Sequence, residues 1–570
     1  MHGFIATISF TDNLPTLSYK WKPLFDFQPA HTKRSKVNDS FNIEQYTSES
    51  FINDKLWIDN DDFFIVTDGL ITNIDILCTQ YKVDSYNELI KILFKKNIDF
   101  FSEFTGNFVG FLWNKKHKTF TAFNNQCGTK KLFYYASDKY IIFSTDLYTL
   151  SQTLNQLEIK KSLDIEASYL LLSSGFMHED YTLIKEVKQI IAGEYALIEN
   201  AKFFIHTYFD LKNIVETKDS ELEIIEKLDL LFDEAIKTEF DFDKKRNLNS
   251  YTTISGGLDS RMVALRANDM DYKQVFFNFS EAGYADEIIA KEIAKTYKID
   301  LKQIMLFPES LTAIDDVVLV NDGLTIYIGA GHVFNAIRNS KLTNLGVFHT
   351  GIVGDAVLGT SLTEKFHKKP NISDGAYTKL LIENAKSIIE KSISKYNTEL
   401  AYKTYNLSFQ GMNNGFLMFN LISESMSLFL YPSFIKYALS IPPKLAFQQK
   451  LYVSWIKKKH KEYADFVWES IGGKPTNNKL LRFYYRYKRA IVKRLPIKTM
   501  WRSNLAPEQL WYDKNPQVKM FVDSYFINNI TLMKDYSELA SDMKEHFENG
   551  KITEKAQVLT LISAYKLLFL

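Results

Sequence analysis

Short runs of aromatic and β-branched residues dominate the first two hundred positions. Gly3–Phe10, Phe63–Thr67, Phe108–Trp113, Thr119–Phe123, Leu132–Tyr135 and Tyr140–Ser144 read as strands, punctuated by turn residues such as Asp68-Gly69 and Cys127-Gly128-Thr129. Several are apolar on successive residues, as in Tyr140-Ile141-Ile142-Phe143, which predicts strands covered on both faces. Helical stretches lie between them, for example around Asn87–Phe94. Stacked sheets with helices outside are expected in this half. From about Ser220 the pattern changes. Glu221–Thr238 reads as an amphipathic helix, Ser250–Ile254 as a strand, Arg261–Asn268 as a helix, Val275–Phe279 as a strand, Asp286–Tyr297 as a helix and Leu345–His349 as a strand. Strand and helix in alternation predict a parallel, doubly wound sheet. From Ser373 onward the chain reads as mostly helical, and the polar stretch between Phe209 and Ser220 is the predicted boundary. No internal repeat or low-complexity tract is present.

Composition narrows the class. The chain has 570 residues, 46% hydrophobic and 24% charged, so it is an ordinary globular chain with room for roughly two to four domains. Lys plus Arg number 69 against 68 Asp plus Glu, a balance that argues against binding nucleic acid through phosphate contacts. Aromatics at 15% fit large, well-filled cores. Two cysteines, Cys78 and Cys127, exclude a disulfide framework and a four-thiolate zinc site. No secretory leader and no apolar run of transmembrane length is evident, so a cytoplasmic location is expected.

The most informative segment is Tyr251-Thr-Thr-Ile254-Ser255-Gly256-Gly257-Leu258-Asp259-Ser260-Arg261. A strand leads into two glycines and a hydroxyl-rich turn, and a helix follows. The glycines let the backbone approach a ligand, and the new helix offers unpaired N–H groups at its positive end. Ser255 and Ser260 add hydroxyl donors. Asp259 adds like charge beside bare phosphate and makes sense where it holds Mg²⁺ that bridges the phosphates. An ordinary Gly-Gly turn is the alternative reading.

Ser-Gly-Gly-x-Asp-Ser resembles the pyrophosphate loop of the ATP pyrophosphatase superfamily, and within it the chain is similar to the asparagine synthetase group. Asp68-Gly69-Leu70-Ile71-Thr72-Asn73 is similar to that family's Asn-Gly-Glu-Ile-Tyr-Asn. Gly106-Asn107-Phe108-Val109-Gly110-Phe111-Leu112-Trp113 resembles its Gly-Asp-Phe-Ala-Phe-Ala-Leu-Trp, and Gly128–Tyr135 its Gly-x-Lys-Pro-Leu-Tyr-Tyr. The resemblance implies an α/β chain in two parts. Residues 1–210 would be an α+β, Ntn-like αββα amidotransferase-type domain, and residues 211–570 a doubly wound parallel sheet with a helical extension that carries the synthetase site. The implied chemistry is adenylation of a carboxylate with release of pyrophosphate, then attack by an amine.

The same resemblance assigns the site. ATP would be held by Ile254, Ser255, Gly256, Gly257, Leu258, Asp259 and Ser260 with Phe277, Thr350 and Gly351, and Mg²⁺ by Asp259 and Asp355. Asp355 ends Thr350-Gly351-Ile352-Val353-Gly354-Asp355, which resembles the family's Ser-Gly-Glu-Gly-Ser-Asp at the carboxyl end of a strand, where ligands bind in such folds. Asp286 and Glu287 match an acidic segment of the family, or else complement a helix dipole. Glu424, in a segment resembling Glu-Ala-Arg-Val-Pro-Phe-Leu, would be a catalytic carboxylate, with a helix-surface acid as the alternative. Lys474 is the candidate catalytic lysine and Lys450 the second.

Two departures qualify the carry-over. Glutamine-hydrolysing members carry a nucleophilic cysteine where this chain has His2; Asp68 and Leu70 replace the glutamine-holding Asn and Glu, and no Arg-Gly-Pro-Asp segment occurs. The amidotransferase-type domain is therefore expected to be catalytically dead. Ile352 stands where asparagine synthetases place Glu and β-lactam synthetases place Tyr, and isoleucine cannot transfer a proton. β-Lactam synthetases and lasso-peptide cyclases are precedents for relatives without a working glutaminase. The expected reaction joins a small-molecule or peptide carboxylate to an amine, with no nucleic acid partner and no integral membrane segment, and a homodimer is among the arrangements open to the chain. Asparagine synthesis from aspartate and ammonia, and a non-catalytic nucleotide-binding scaffold, are the alternatives. Arg482–Arg502 holds eight Lys and Arg residues, no acid and interleaved aromatics, which fits an anionic partner or a solvated helix face.

Overall fold

A computed structural model describes residues 3–570 except 11–13, 15–16, 20, 22, 39, 344, 493–499 and 502–504. The chain is α/β: two antiparallel sheets lie in its first 207 residues and a five-stranded parallel sheet follows. The first sheet runs Val187–Gln189, Phe133–Ala136, Tyr140–Ser144, Gly3–Ser9, Phe41–Ser48, His31–Val37. The second runs Lys202–Thr207, Glu194–Glu199, Thr119–Asn124, Gly106–Asn114, Phe63–Ile71, Trp57–Asp59. Alternation places Phe4, Ala6 and Ile8 of the first sheet against Phe64, Val66, Val109 and Phe111 of the second. Ile5, on the opposite face of its strand, meets the helices Leu147–Gln156 and Ile165–Ser173. Phe63, Ile65 and Phe108 are covered by Ile74–Tyr81 and Tyr86–Lys96. Both faces of the inner strands are thus apolar, which is why those strands read as continuous hydrophobic runs.

The Phe41–Ser48 and His31–Val37 strands were not predicted. The second, His-Thr-Lys-Arg-Ser-Lys-Val, is a half-exposed, basic edge strand, the composition that discourages pairing with another chain.

In the second half, Glu221–Lys245 begins at a capping box, with the Ser220 side chain on the Glu223 N–H and the Glu223 carboxylate on the Ser220 N–H. Ile224, Leu228, Phe232, Ala235 and Ile236 form its buried stripe. The parallel sheet runs Leu301–Met305, Gln274–Ser280, Asn249–Thr253, Leu345–Thr350, Ser425–Ser427. Phe276 belongs to the core on one face and Phe277 to the core on the other, so helices cover both faces. Strand order reverses direction between Asn249–Thr253 and Leu345–Thr350, which creates a crevice at their carboxyl ends. The last helix, Ile552–Phe569, lies against Leu147–Gln156 and Ile165–Ser173, so one hydrophobic core spans the predicted boundary at 210. Among the described residues no helix is long and apolar enough to cross a membrane.

Candidate functional site

The segment Ile254–Gly257 leaves the carboxyl end of the Asn249–Thr253 strand at the crevice and opens the helix Leu258–Asp269. Its turn is held internally. The Ser255 N–H donates to Ser260 Oγ at 3.0 Å, the Gly257 N–H to Ser255 Oγ at 3.1 Å, and the Gly256 N–H to Asp286 Oδ1 at 2.8 Å. Close approach explains two glycines. A Cβ on Gly351 would lie 2.5 Å from the Ser260 nitrogen, and one on Gly354 would lie 2.7 Å from Asp259 Cγ. Only backbone without side chains lets the Thr350–Asp355 turn press on the loop.

That pressing joins the two predicted metal carboxylates. Asp259 Oδ2 accepts the Asp355 N–H at 2.7 Å, while Asp259 Oδ1 is buried with no hydrogen-bond partner. Burial first, and the Asp355 charge second, raise the Asp259 carboxyl well above the usual range; burial raises Asp355 as well. Asp286 is pushed up to about 7 by burial and by Glu469. Glu469, whose N–H donates to the Gly256 carbonyl at 3.2 Å, is itself raised by burial. Four carboxyls therefore surround the loop. The nearby cation, Arg261, spends its guanidinium on carbonyls: Tyr463 at 3.0 Å, Val467 at 2.7 Å and Gly256 at 3.2 Å. It ties the 463–467 stretch to the loop, and burial lowers it to about 10.

A carboxyl that is enclosed, keeps one oxygen without a hydrogen bond and lies beside a second carboxyl is poised for a cation, and Asp259 with Asp355 fits Mg²⁺ in that respect. Among the described residues no group of three or more His, Cys, Asp or Glu side chains is arranged to hold a metal. Two protein oxygens suit a magnesium whose other ligands come from nucleotide phosphates and water.

Beside the loop lies a cavity of about 460 Å³. Ile254, Ser255, Gly257, Asp259, Ser260, Phe277, Asp286, Thr350 and Gly351 all line it, so most of the predicted site converges on one space. Gly256 and Leu258 belong to the loop without lining the cavity, and Leu258 points into the core. Glu287 pairs with Lys291 and accepts the Gly283 N–H, and it is not part of the cavity lining. Phe176 of the N-terminal half stacks edge-on against the cavity residue Tyr377, ring centres 6.1 Å apart.

Three predicted residues lie elsewhere. Glu424 does not line the cavity. It is buried between the two halves, with its Oε1 2.8 Å from Lys55 Nζ and its Oε2 3.0 Å from Lys130 Nζ. Asp68 completes the group, 3.2 Å from Lys55 and 3.0 Å from Lys130. Burial pulls Lys55 down, but Asp68 and Glu424 outweigh it and hold the ammonium above the usual lysine range. Lys474 is exposed on the loop after Gly473, and exposed Lys450 lines a separate basic groove with Lys444, Lys457, Arg482 and Arg486. The predicted basic stretch is helical over Lys479–Val492; Lys493, Arg494, Lys498 and Arg502 lie outside the described residues.

His2 also lies outside the described residues. Neither cysteine offers a thiolate. Cys127 is buried, donates to the Leu430 carbonyl at 3.4 Å and is held protonated by burial; burial and Asp75 raise Cys78. Glu469 and Arg261 were missed as site residues. Arg261 adjoins the loop motif in sequence, whereas Glu469 arrives from some two hundred residues away with no local signal.

Residues 58–209 match the family model of the glutamine amidotransferase domain. The chain is 24% identical over 212 residues to asparagine synthetase [glutamine-hydrolyzing] 1 of Bacillus subtilis (strain 168), covering 36% of this chain and 32% of that protein. It is 24% identical over 213 residues to putative asparagine synthetase [glutamine-hydrolyzing] 2 of Methanocaldococcus jannaschii, covering 36% and 40%. The chain thus spans about a third of the length of the first of these curated relatives and two fifths of the second. Among solved structures, glutamine phosphoribosylpyrophosphate amidotransferase from B. subtilis overlaps 73% of this chain and 89% of its own at 9% identity, with a TM-score of 0.24. NAD+ synthetase from Burkholderia pseudomallei overlaps 42% and 95% at 12% identity, with a TM-score of 0.18. Both likenesses are too distant to bear on function.

Proposed function

We propose that this chain is an ATP-dependent, AMP-forming carboxylate–amine ligase of the asparagine synthetase type that works without hydrolysing glutamine. The observation that carries the reading is the Asp259–Asp355 contact at the mouth of a strand–Gly-Gly–helix loop, with an unpartnered carboxyl oxygen beside the cavity. In this reaction a substrate carboxylate oxygen attacks the α-phosphorus of ATP and pyrophosphate leaves. The amine then attacks the acyl carbon, loses a proton, and AMP leaves. The helix N-terminus and the Ser255 and Ser260 hydroxyls would hold the departing pyrophosphate. Asp259 and Asp355 would hold Mg²⁺, which when bound neutralises phosphate charge. Arg261 keeps the loop in place through the Gly256 carbonyl.

The N-terminal half is, in this reading, a structural partner. Asp68 stands in the position of a glutamine-holding residue and is occupied by Lys55 and Lys130, and Ile352 offers no proton relay beside the loop. A chain of this kind takes its amine from a source other than glutamine and is expected in the cytoplasm. Carboxylate-dependent exchange of labelled pyrophosphate into ATP with Mg²⁺ tests the reading, with Asp259→Asn as control. Exchange in the parent alone supports adenylation. Its absence with every carboxylate offered, despite intact ATP binding, would refute it. Exchange driven by aspartate would favour asparagine synthesis from aspartate and ammonia; the two curated relatives are named as glutamine-hydrolysing asparagine synthetases.

A further inference from the structure

The cavity beside the loop is charged at one end only. Among its described lining residues Asp259 and Asp286 are the charged ones, and both are acids; none is Lys or Arg. His332 is also part of the wall, but burial lowers it to about 4, so its imidazole is neutral at pH 7. The rest is apolar. Phe277, Phe279 and His332 follow one another with ring centres 5.8 Å apart at each step, and Phe419 closes on Phe348 at 4.9 Å. Ile352 reaches toward Gly415, its Cδ1 3.3 Å from the place a Cβ on Gly415 would occupy, and Met412 continues the wall.

Resting on the ligase reading, we infer that the carboxylate substrate is a monocarboxylate with an uncharged, apolar body. Activation consumes the one carboxylate, which becomes the neutral acyl group of the adenylate. A second carboxylate, such as the one aspartate retains, would lie in a wall whose described side chains include two acids and no Lys or Arg to meet it. An unpaired buried charge is expensive. An apolar body instead exchanges water for Ile352, Met412 and Phe419. Gly415 sets the room available: its backbone is helical, so a larger residue is conformationally allowed and takes up space that the substrate would use.

The test is calorimetric titration of the full chain with 3-phenylpropanoate and with L-aspartate, with and without Mg²⁺ and α,β-methylene-ATP. The expected result is binding of 3-phenylpropanoate and none of aspartate. Gly415→Leu and Ile352→Glu should each weaken it by about tenfold or more, the scale of a lost or blocked apolar subsite. Aspartate binding in place of 3-phenylpropanoate, no binding of 3-phenylpropanoate to the parent, or equal affinity in both variants would overturn the inference. Failure of the ligase reading looks different: no carboxylate supports pyrophosphate exchange, whatever the titration gives.

Discussion

Two groups of enclosed charges lie in this molecule, and they differ in sign balance. Between the two halves, Lys55 and Lys130 face Asp68 and Glu424, with every cation within 3.2 Å of both acids. Around the loop, Asp259, Asp355, Asp286 and Glu469 gather with Arg261, whose two terminal guanidinium nitrogens are occupied by main-chain carbonyls. In the first group each charge is ion-paired with both opposite charges, although Glu424 Oε2 makes no hydrogen bond beyond its ion pair. The second leaves an oxygen of Asp259 unpartnered and pushes its carboxyls toward the protonated form, because burial outweighs the pull that Arg261 and Arg489 exert on Glu469. Burial of charge is therefore a poor marker of a site on its own. The imbalance is the marker, since a cluster that is costly alone is relieved when a cation and its phosphates arrive.

The largest effect is expected from unbalancing the first group. Lys55→Met leaves Asp68 and Glu424 sharing one ammonium and should lower unfolding free energy by about 3–5 kcal/mol in urea melts. Lys55→Met combined with Asp68→Asn should recover part of that loss. Asp259→Asn should do the reverse in kind. Ligand-free stability is held or slightly raised, because a like-charge contact is removed. Pyrophosphate exchange falls by about 100-fold or more, equivalent to roughly 2.7 kcal/mol of transition-state stabilisation. A smaller effect concerns pH. Asp286 titrates near 7 in the folded chain against 3.8 unfolded, so the folded state keeps a proton that the unfolded state releases. Ligand-free stability should therefore fall as pH rises from about 4 to 7 and level off above, and Asp286→Asn should flatten that slope in thermal melts. A slope unchanged in the variant would show that Asp286 is not the group responsible.

Much of the loop was legible because its residues are contiguous. A strand, two glycines, an Asp and a helix fall within Tyr251–Arg261, and Asp355 follows its own strand by five residues, so local pattern placed both carboxylates at strand ends. The strands of the αββα layers were legible where both faces are apolar, as in Tyr140–Ser144. They were illegible where the strand is a polar edge, as in His31–Val37, since alternation there carries no hydrophobic signal. Glu424 shows the limit of motif reasoning. It precedes the strand Ser425–Ser427 and is not on a helix surface, and which way its carboxylate turns depends on Lys55 and Lys130, residues some three hundred positions away. Glu469 had no sequence signal, because only the folded chain brings it under Gly256.

Magnesium-dependent ATP binding, measured by titration calorimetry on the parent, Asp259→Asn and Lys55→Met chains, bears most directly on the claim that the unbalanced group is the ligand site. The account predicts that the parent binds ATP tightly only with Mg²⁺. Asp259→Asn should lose about tenfold or more of that affinity. The folded fraction of Lys55→Met should keep it. ATP bound equally well with and without Mg²⁺, or equally by parent and Asp259→Asn, would contradict it.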